Sequence, residues 1–232
     1  MLHTGERIKN GEKVTMVFFG DSVTHGEFEF TNGYKESVHR PELVFHKLLA
    51  DRIKAEFSNE VTVINAGIGG NFSDDGLARI QTDVLDHKPD FCCVMFGTND
   101  ATNARNGDEA LDKYGENMRR ILSQLQENGI ETVLMTPGML CSRGVKGFRG
   151  GWWFIHKYYE MLQKQGKMDA YVERARQVAK ELNVPIADAY AEWKRMEKAG
   201  QDTTAMLING MNHPDAERHK IFADKLFELL FN

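Results

Sequence analysis

The alternation of short apolar runs with longer helical stretches constrains this chain most. Val14 to Phe19, Val61 to Ile64, Phe91 to Phe96, Thr132 to Met135 and Val184 to Ala187 are brief and β-rich, and the first three stop at Gly20, Asn65 and Gly97. Between them lie stretches with helical spacing: Phe45, Leu48, Leu49 and Ile53, then Leu111, Tyr114, Met118, Ile121, Leu122 and Leu125. Buried strands separated by helical crossovers pair in parallel, and the crossovers pack on both faces of the sheet. The pattern therefore predicts an α/β fold, a three-layer α/β/α sandwich around a mostly parallel, flavodoxin-like five-stranded sheet. Functional residues in such a fold collect at the carboxyl ends of the strands. Pro214 opens a last helix with Phe222, Leu226, Leu229 and Leu230 on one face.

The 232 residues, 41% of them hydrophobic, suffice for a single domain over 1–232. One stretch breaks the rhythm, from about Gly138 to Lys167, with several glycines and the cluster Trp152, Trp153, Phe154, Tyr158, Tyr159. A long segment beyond a strand end predicts a partly helical lid or pocket wall. The net charge of -5 comes from interspersed acids and bases, which leaves no basic stripe for a phosphate backbone and excludes nucleic acid as a partner. Met1 to Glu12 has no apolar core, and no apolar run approaches the ~20 residues that span a bilayer. The expectation is a cytoplasmic protein without membrane insertion. Cys92, Cys93 and Cys141 cannot make a fully paired disulfide framework and lack CxxC spacing, and the adjacent pair reads as buried strand residues facing opposite sides.

Four stretches carry groups with chemistry. Gly20-Asp21-Ser22 places a hydroxyl on the turn after the first strand, although a serine there is more commonly a turn or cap residue. Asn65 to Asn71 is a glycine-rich turn able to present backbone N–H groups to an anion. A dinucleotide loop fails on spacing, because Phe72 stands where GxGxxG needs glycine, and a plain strand-to-helix turn fits equally. Asn99, in Gly97-Thr98-Asn99-Asp100, can donate its amide to an oxyanion or simply close an Asx turn. His213 lies in Asn209-Gly210-Met211-Asn212-His213-Pro214, where proline holds it extended outside regular structure.

Together, in this order and spacing, the four stretches resemble the SGNH/GDSL hydrolases along nearly the whole chain. The resemblance implies that Ser22 is the nucleophile and His213 its general base. It also implies an oxyanion hole made by Ser22, Gly70 and Asn99, with Asn65 and Gly67 shaping the loop. A serine hydroxyl becomes nucleophilic only when a base within hydrogen-bond reach takes its proton, and the charge that develops on the substrate oxygen needs aimed donors. The implied activity is that of a serine esterase working through an acyl-Ser22 intermediate on a small-molecule ester, with no metal or organic cofactor.

The family's acid belongs three residues before the histidine, where this chain has Gly210. Asn209, one position earlier, stands where the related pattern Asp-Gly-Met-Asn-His carries the acid. An amide in that role brings no charge, and the corresponding exchange in a serine protease costs about 10⁴ in kcat. Asn209→Asp is therefore expected to raise turnover greatly. A natural Ser–His dyad, or service from Asp188, Asp202 or Asp215, are the alternatives. Asp21 and Asp100 are expected to brace their own turns, His25 to rim the pocket, and His219 to lie on a solvated helix face.

For substrate, Trp152 and Trp153 suggest stacking on sugar rings and hence O-acetyl groups on carbohydrates, although aromatics that merely pack a lid would look the same. A lipase or thioesterase of the same family, or a catalytically weak acyl- or sugar-binding module, are the rival readings, with a flavodoxin-like nucleotide binder a weaker third. Homo-oligomerisation stays open.

Overall fold

Strand β1 (Thr15–Gly20) is apolar on both faces because both are covered, and the rest of the molecule is arranged around it. The computed structural model describes residues 1–31, 36–103, 109–145, 147–148 and 150–232. Besides β1 the strands are β2 (Glu27–Thr31), β3 (Glu36–His39), β4 (Thr62–Gly67), β5 (Phe91–Met95), β6 (Glu131–Met135) and β7 (Ile186–Ala187). Five of them form one sheet in the order β4-β1-β5-β6-β7, and every pairing in it is parallel. The expected sandwich is present.

Successive side chains of a strand point to opposite faces, which divides the core in two. Met16, Phe18, Phe91, Cys93 and Met95 pack with residues of the helices Phe45–Phe57 and Ala216–Phe231. On the other face Val17, Phe19, Cys92 and Val94 pack with the helices Ala110–Glu127 and Lys167–Glu181. Cys92 and Cys93 thus face opposite layers, and all three cysteines are free and buried.

Strands β2 and β3 form an antiparallel hairpin outside the main sheet, a feature the β/α rhythm does not announce. It corrects one expectation directly. His219 is 0% exposed rather than solvated, because Phe28 of β2 stacks on its ring at 4.6 Å. The last helix also starts later than Pro214 implied, at Ala216, with Asp215 capping it by accepting from the Arg218 N–H at 2.9 Å.

Within 138–167 the helix Gly151–Lys164 buries His156, Leu162 and Gln163, while Trp153 and Phe154 stay exposed. Gln163 ties this helix to the Leu140 N–H at 2.9 Å and to the Tyr190 hydroxyl at 3.1 Å. Tyr158 and Tyr159 pack against the core, and Lys146 and Arg149 lie outside the described residues. No helix among the described residues is long and apolar enough to cross a membrane.

Candidate active site

The short helix Ser22–His25 begins directly on the end of β1. Gly20 makes this possible: a Cβ there would lie 2.2 Å from the Thr24 hydroxyl and 2.6 Å from the Met95 carbonyl oxygen. Asp21 caps the helix by accepting from the Val23 N–H at 3.0 Å, so it does brace its own turn. Burial pushes the Asp21 carboxyl up to about 7; the Val23 N–H opposes the shift, and the Asp100 and Glu27 charges add to it. Ser22 is the first residue of the helix and only 5% exposed.

At the end of β4 the Asn65 side chain folds the loop on itself, its oxygen accepting from the Gly67 N–H at 3.0 Å and its NH₂ donating to the His25 carbonyl at 3.1 Å. Gly67 must lack a side chain, since its Cβ would meet the His25 nitrogen at 2.2 Å. Gly70 turns with a φ of +74° and faces open space. From the end of β5, Asn99 donates to the Asn71 carbonyl at 2.9 Å, and its NH₂ carries a second donor.

Two supports reach further than the sequence motifs announce. Arg79, on the helix Ser73–Asp83, donates to the Gly20 carbonyl at 2.9 Å, the Ala66 carbonyl at 2.8 Å and the Asn71 side-chain oxygen at 2.8 Å. Its guanidinium lies 4.6 Å from the Phe19 ring centroid, and it pairs with Asp83 at 2.7 Å. One side chain thereby ties together the ends of β1 and β4 and the loop between them and Asn99. Asp100 reaches across as well, accepting from the Ser73 hydroxyl at 2.6 Å and N–H at 3.1 Å, with Asn117 donating to the same hydroxyl at 3.1 Å. Asp100 therefore couples the end of β5 to the helix Ser73–Asp83, which precedes that strand, rather than bracing only its own turn. An arginine or asparagine on an amphipathic helix carries no local signal of such a task.

The Ser22 hydroxyl and His213 Nε2 are 3.0 Å apart, although 191 residues separate them in sequence. The other ring nitrogen, Nδ1, lies 2.9 Å from the carbonyl oxygen of Phe28 in β2. A carbonyl can only accept, so Nδ1 carries the proton and Nε2 offers its lone pair to the serine. His213 is 3% exposed, and this burial lowers its pKa, while the Phe28 carbonyl and the Glu27 charge raise it.

This geometry corrects the reading of Asn209. Its side-chain oxygen accepts from the N–H groups of Met211 at 3.0 Å, Asn212 at 3.0 Å and His213 at 2.9 Å, and its NH₂ donates to the Asn212 side chain at 2.9 Å. Asn209 shapes the loop that carries His213 and does not orient the ring; the Phe28 carbonyl does. The alternative acids are engaged elsewhere: Asp188 with Arg176 and Thr136, Asp202 with the Thr204 and Ala205 N–H groups, and Asp215 at its helix cap.

Phe30 of β2 packs 5.4 Å from the His213 ring, and Trp152 stacks on Phe30 at 6.5 Å. Trp153 instead sits edge-on to Phe154 at 5.0 Å and is 45% exposed. Of the two tryptophans, then, Trp152 adjoins the Ser22–His213 pair through Phe30, and Trp153 turns toward its own helix neighbour and solvent. Among the described residues, only His25, Glu27 and His39 form a group close enough to share a metal ion, and neither Ser22 nor His213 belongs to it.

The chain resembles known proteins along most of its length. The chain is 28% identical over 207 residues to the uncharacterized lipoprotein YqeF of Bacillus subtilis, covering 86% of this chain and 80% of that one. It is 26% identical over 233 residues to an acetylxylan esterase of Geobacillus stearothermophilus, covering 94% and 93%. The crystal structure of Axe2, an acetylxylan esterase from Geobacillus stearothermophilus, superposes with a TM-score of 0.70 at 22% identity over 94% of each chain, which shows a shared fold. The profile of the GDSL-like Lipase/Acylhydrolase family matches residues 18–221, from within β1 to beyond His213, so the chain belongs to that family and is a carboxylic ester hydrolase.

Proposed function

We propose that this protein is a serine esterase that removes small acyl groups, chiefly O-acetyl groups on carbohydrates, through an acyl-Ser22 intermediate. The observation that carries the reading is the 3.0 Å contact between the Ser22 hydroxyl and His213 Nε2, with Nδ1 held by the Phe28 carbonyl. As the hydroxyl attacks the ester carbonyl, Nε2 takes its proton; the tetrahedral intermediate then expels the alcohol, which receives that proton. Water repeats the sequence to release the acid. The Ser22 and Gly70 N–H groups and the Asn99 amide are the donors for the developing oxyanion, where one lost donor typically costs about 10²–10³ in rate.

Small acyl groups fit because both reacting side chains are buried and Phe30 with Trp152 lines their flank. Sugars fit because Trp152, stacked on Phe30 beside His213, and its exposed neighbour Trp153 offer aromatic surface on one helix, and because acetylxylan esterases are among the relatives. The case for a weak binding module rests on an amide replacing the acid. The Phe28 carbonyl favours the esterase over that module, because it supplies the imidazole with an acceptor that sets the tautomer needed to take the serine proton, while bringing no charge of its own.

A substrate panel tests the reading. Acetylated xylooligosaccharides and 4-nitrophenyl acetate should be cleaved faster than butyryl and long-chain esters, and a serine-directed phosphonate should label Ser22. Preference for long acyl chains would overturn the sugar assignment, and labelling elsewhere would overturn the nucleophile.

A further inference from the structure

The β2–β3 hairpin holds a group of side chains that the ester chemistry does not use. Glu27 and His39 are direct partners in the antiparallel register, so their side chains leave the same face. His25 precedes Glu27 by two residues, at the end of the helix Ser22–His25, and Gly26 between them turns with a φ of +92°. Its Nδ1 lies 3.3 Å from a Glu27 carboxylate oxygen, and the rings of His25 and His39 meet edge to face with centroids 4.4 Å apart. One ligand atom from each of the three residues lies within 4.8 Å of the other two.

We propose that His25, Glu27 and His39 bind a first-row divalent cation, with zinc as the best-fitting ion. Two imidazoles and one carboxylate are the donor types zinc takes, at bond lengths of about 2.0–2.2 Å, which place tetrahedral ligand atoms roughly 3.3–3.5 Å apart. The His25 Nδ1–Glu27 separation of 3.3 Å already matches that spacing, and a ligand atom of the exposed His39 lies within 4.8 Å of the other two residues' ligand atoms. The other parts of the site are already fixed. Ser37 donates to the second Glu27 oxygen at 2.9 Å, the kind of outer hydrogen bond that orients a carboxylate ligand. Asn65 holds the His25 carbonyl, and the Glu27 carboxylate fills the space beside Gly69, where a Cβ would meet it at 2.0 Å. Glu27 is 12% exposed and His25 40%, so the site opens to solvent on the histidine side and leaves coordination positions for water.

A cation here ties the hairpin to the helix that carries Ser22. Phe28, which follows Glu27 in β2, supplies the carbonyl that holds His213, so the ion braces the strand on which that anchor sits. Neither the donor set nor its test depends on the esterase reading.

The experiment is zinc titration of the chelator-treated full chain by calorimetry, with cobalt(II) visible absorption as the spectroscopic readout. The expected result is one equivalent of zinc bound, a cobalt d–d band displaced by zinc, and a zinc-dependent rise in Tm. His39→Ala, on an exposed strand residue, and Glu27→Gln should each weaken zinc binding at least tenfold and abolish the Tm rise, while His87→Ala should bind as the wild type does. Absence of saturable binding in the wild type, or binding unchanged in both His39→Ala and Glu27→Gln, would overturn the proposal.

Discussion

Ser22, the proposed nucleophile, rests on the end of a central sheet strand, whereas the imidazole of His213 hangs from a late loop and takes its second anchor from a hairpin outside the sheet. Around Ser22, the ends of β1, β4 and β5 converge, and Arg79 binds two of those ends and the intervening loop together. Around His213, Asn209 gathers three N–H groups of its own loop and β2 offers one carbonyl. The first arrangement draws its rigidity from the hydrophobic core. The second depends on a few hydrogen bonds between segments that share no sheet with the core strands, so equal-sized perturbations should act differently on the two sides.

The largest effects should come from the reacting groups themselves. Ser22→Ala and His213→Ala should each lower kcat by about 10⁴–10⁶-fold with little change in KM, and the double variant should be no worse than either single one. A double variant much slower than both would break the idea that the two act as a unit. On the sheet side, Arg79→Ala should lower kcat by roughly 10–100-fold, the scale of losing an outer support, and should lower Tm as well. Arg79→Lys should not restore it, because an ammonium cannot reach three separated acceptors as the guanidinium fork does.

On the loop side, Asn209→Ala leaves three N–H groups without their acceptor, and we expect a loss of about tenfold or more in kcat, with each buried donor so orphaned costing ~1–3 kcal/mol. Asn209→Asp keeps an acceptor for all three and should stay within a few-fold of wild type. A large gain in Asn209→Asp would restore the side chain to the orienting role and displace the Phe28 carbonyl from it. The smallest effect is in pH. The base must be neutral to work, and burial lowers the His213 pKa. As pH falls, kcat/KM should therefore hold until below the ordinary histidine range and only then decline; a midpoint above that range would show His213 to be stabilised in its charged form.

The same division explains what is legible without coordinates. Gly20, Asn65, Gly97 and the apolar runs before them announce strand ends, and strand ends in a parallel sheet share an edge, so Ser22, Gly70 and Asn99 can be assigned to one rim. The strand β2 reads Glu-Phe-Glu-Phe-Thr, too short and too charged to stand out beside the core strands, and its partner β3 has little apolar content. Without that hairpin three things go astray. His219 reads as solvated, the imidazole's partner is sought among side chains, and His39 draws no notice. Arg79 is illegible for another reason: its role lies in three long-range acceptors that no local pattern encodes.

The Phe28 carbonyl belongs to the peptide unit, and every residue type possesses one. No codon change at position 28 can delete it, so the imidazole's tautomer is protected from single substitutions in a way that an aspartate partner never is. Loss of that control requires displacement of the strand, by insertion, proline or unfolding. The vulnerability of this hydrolase is therefore transferred from the identity of one side chain to the path of the main chain.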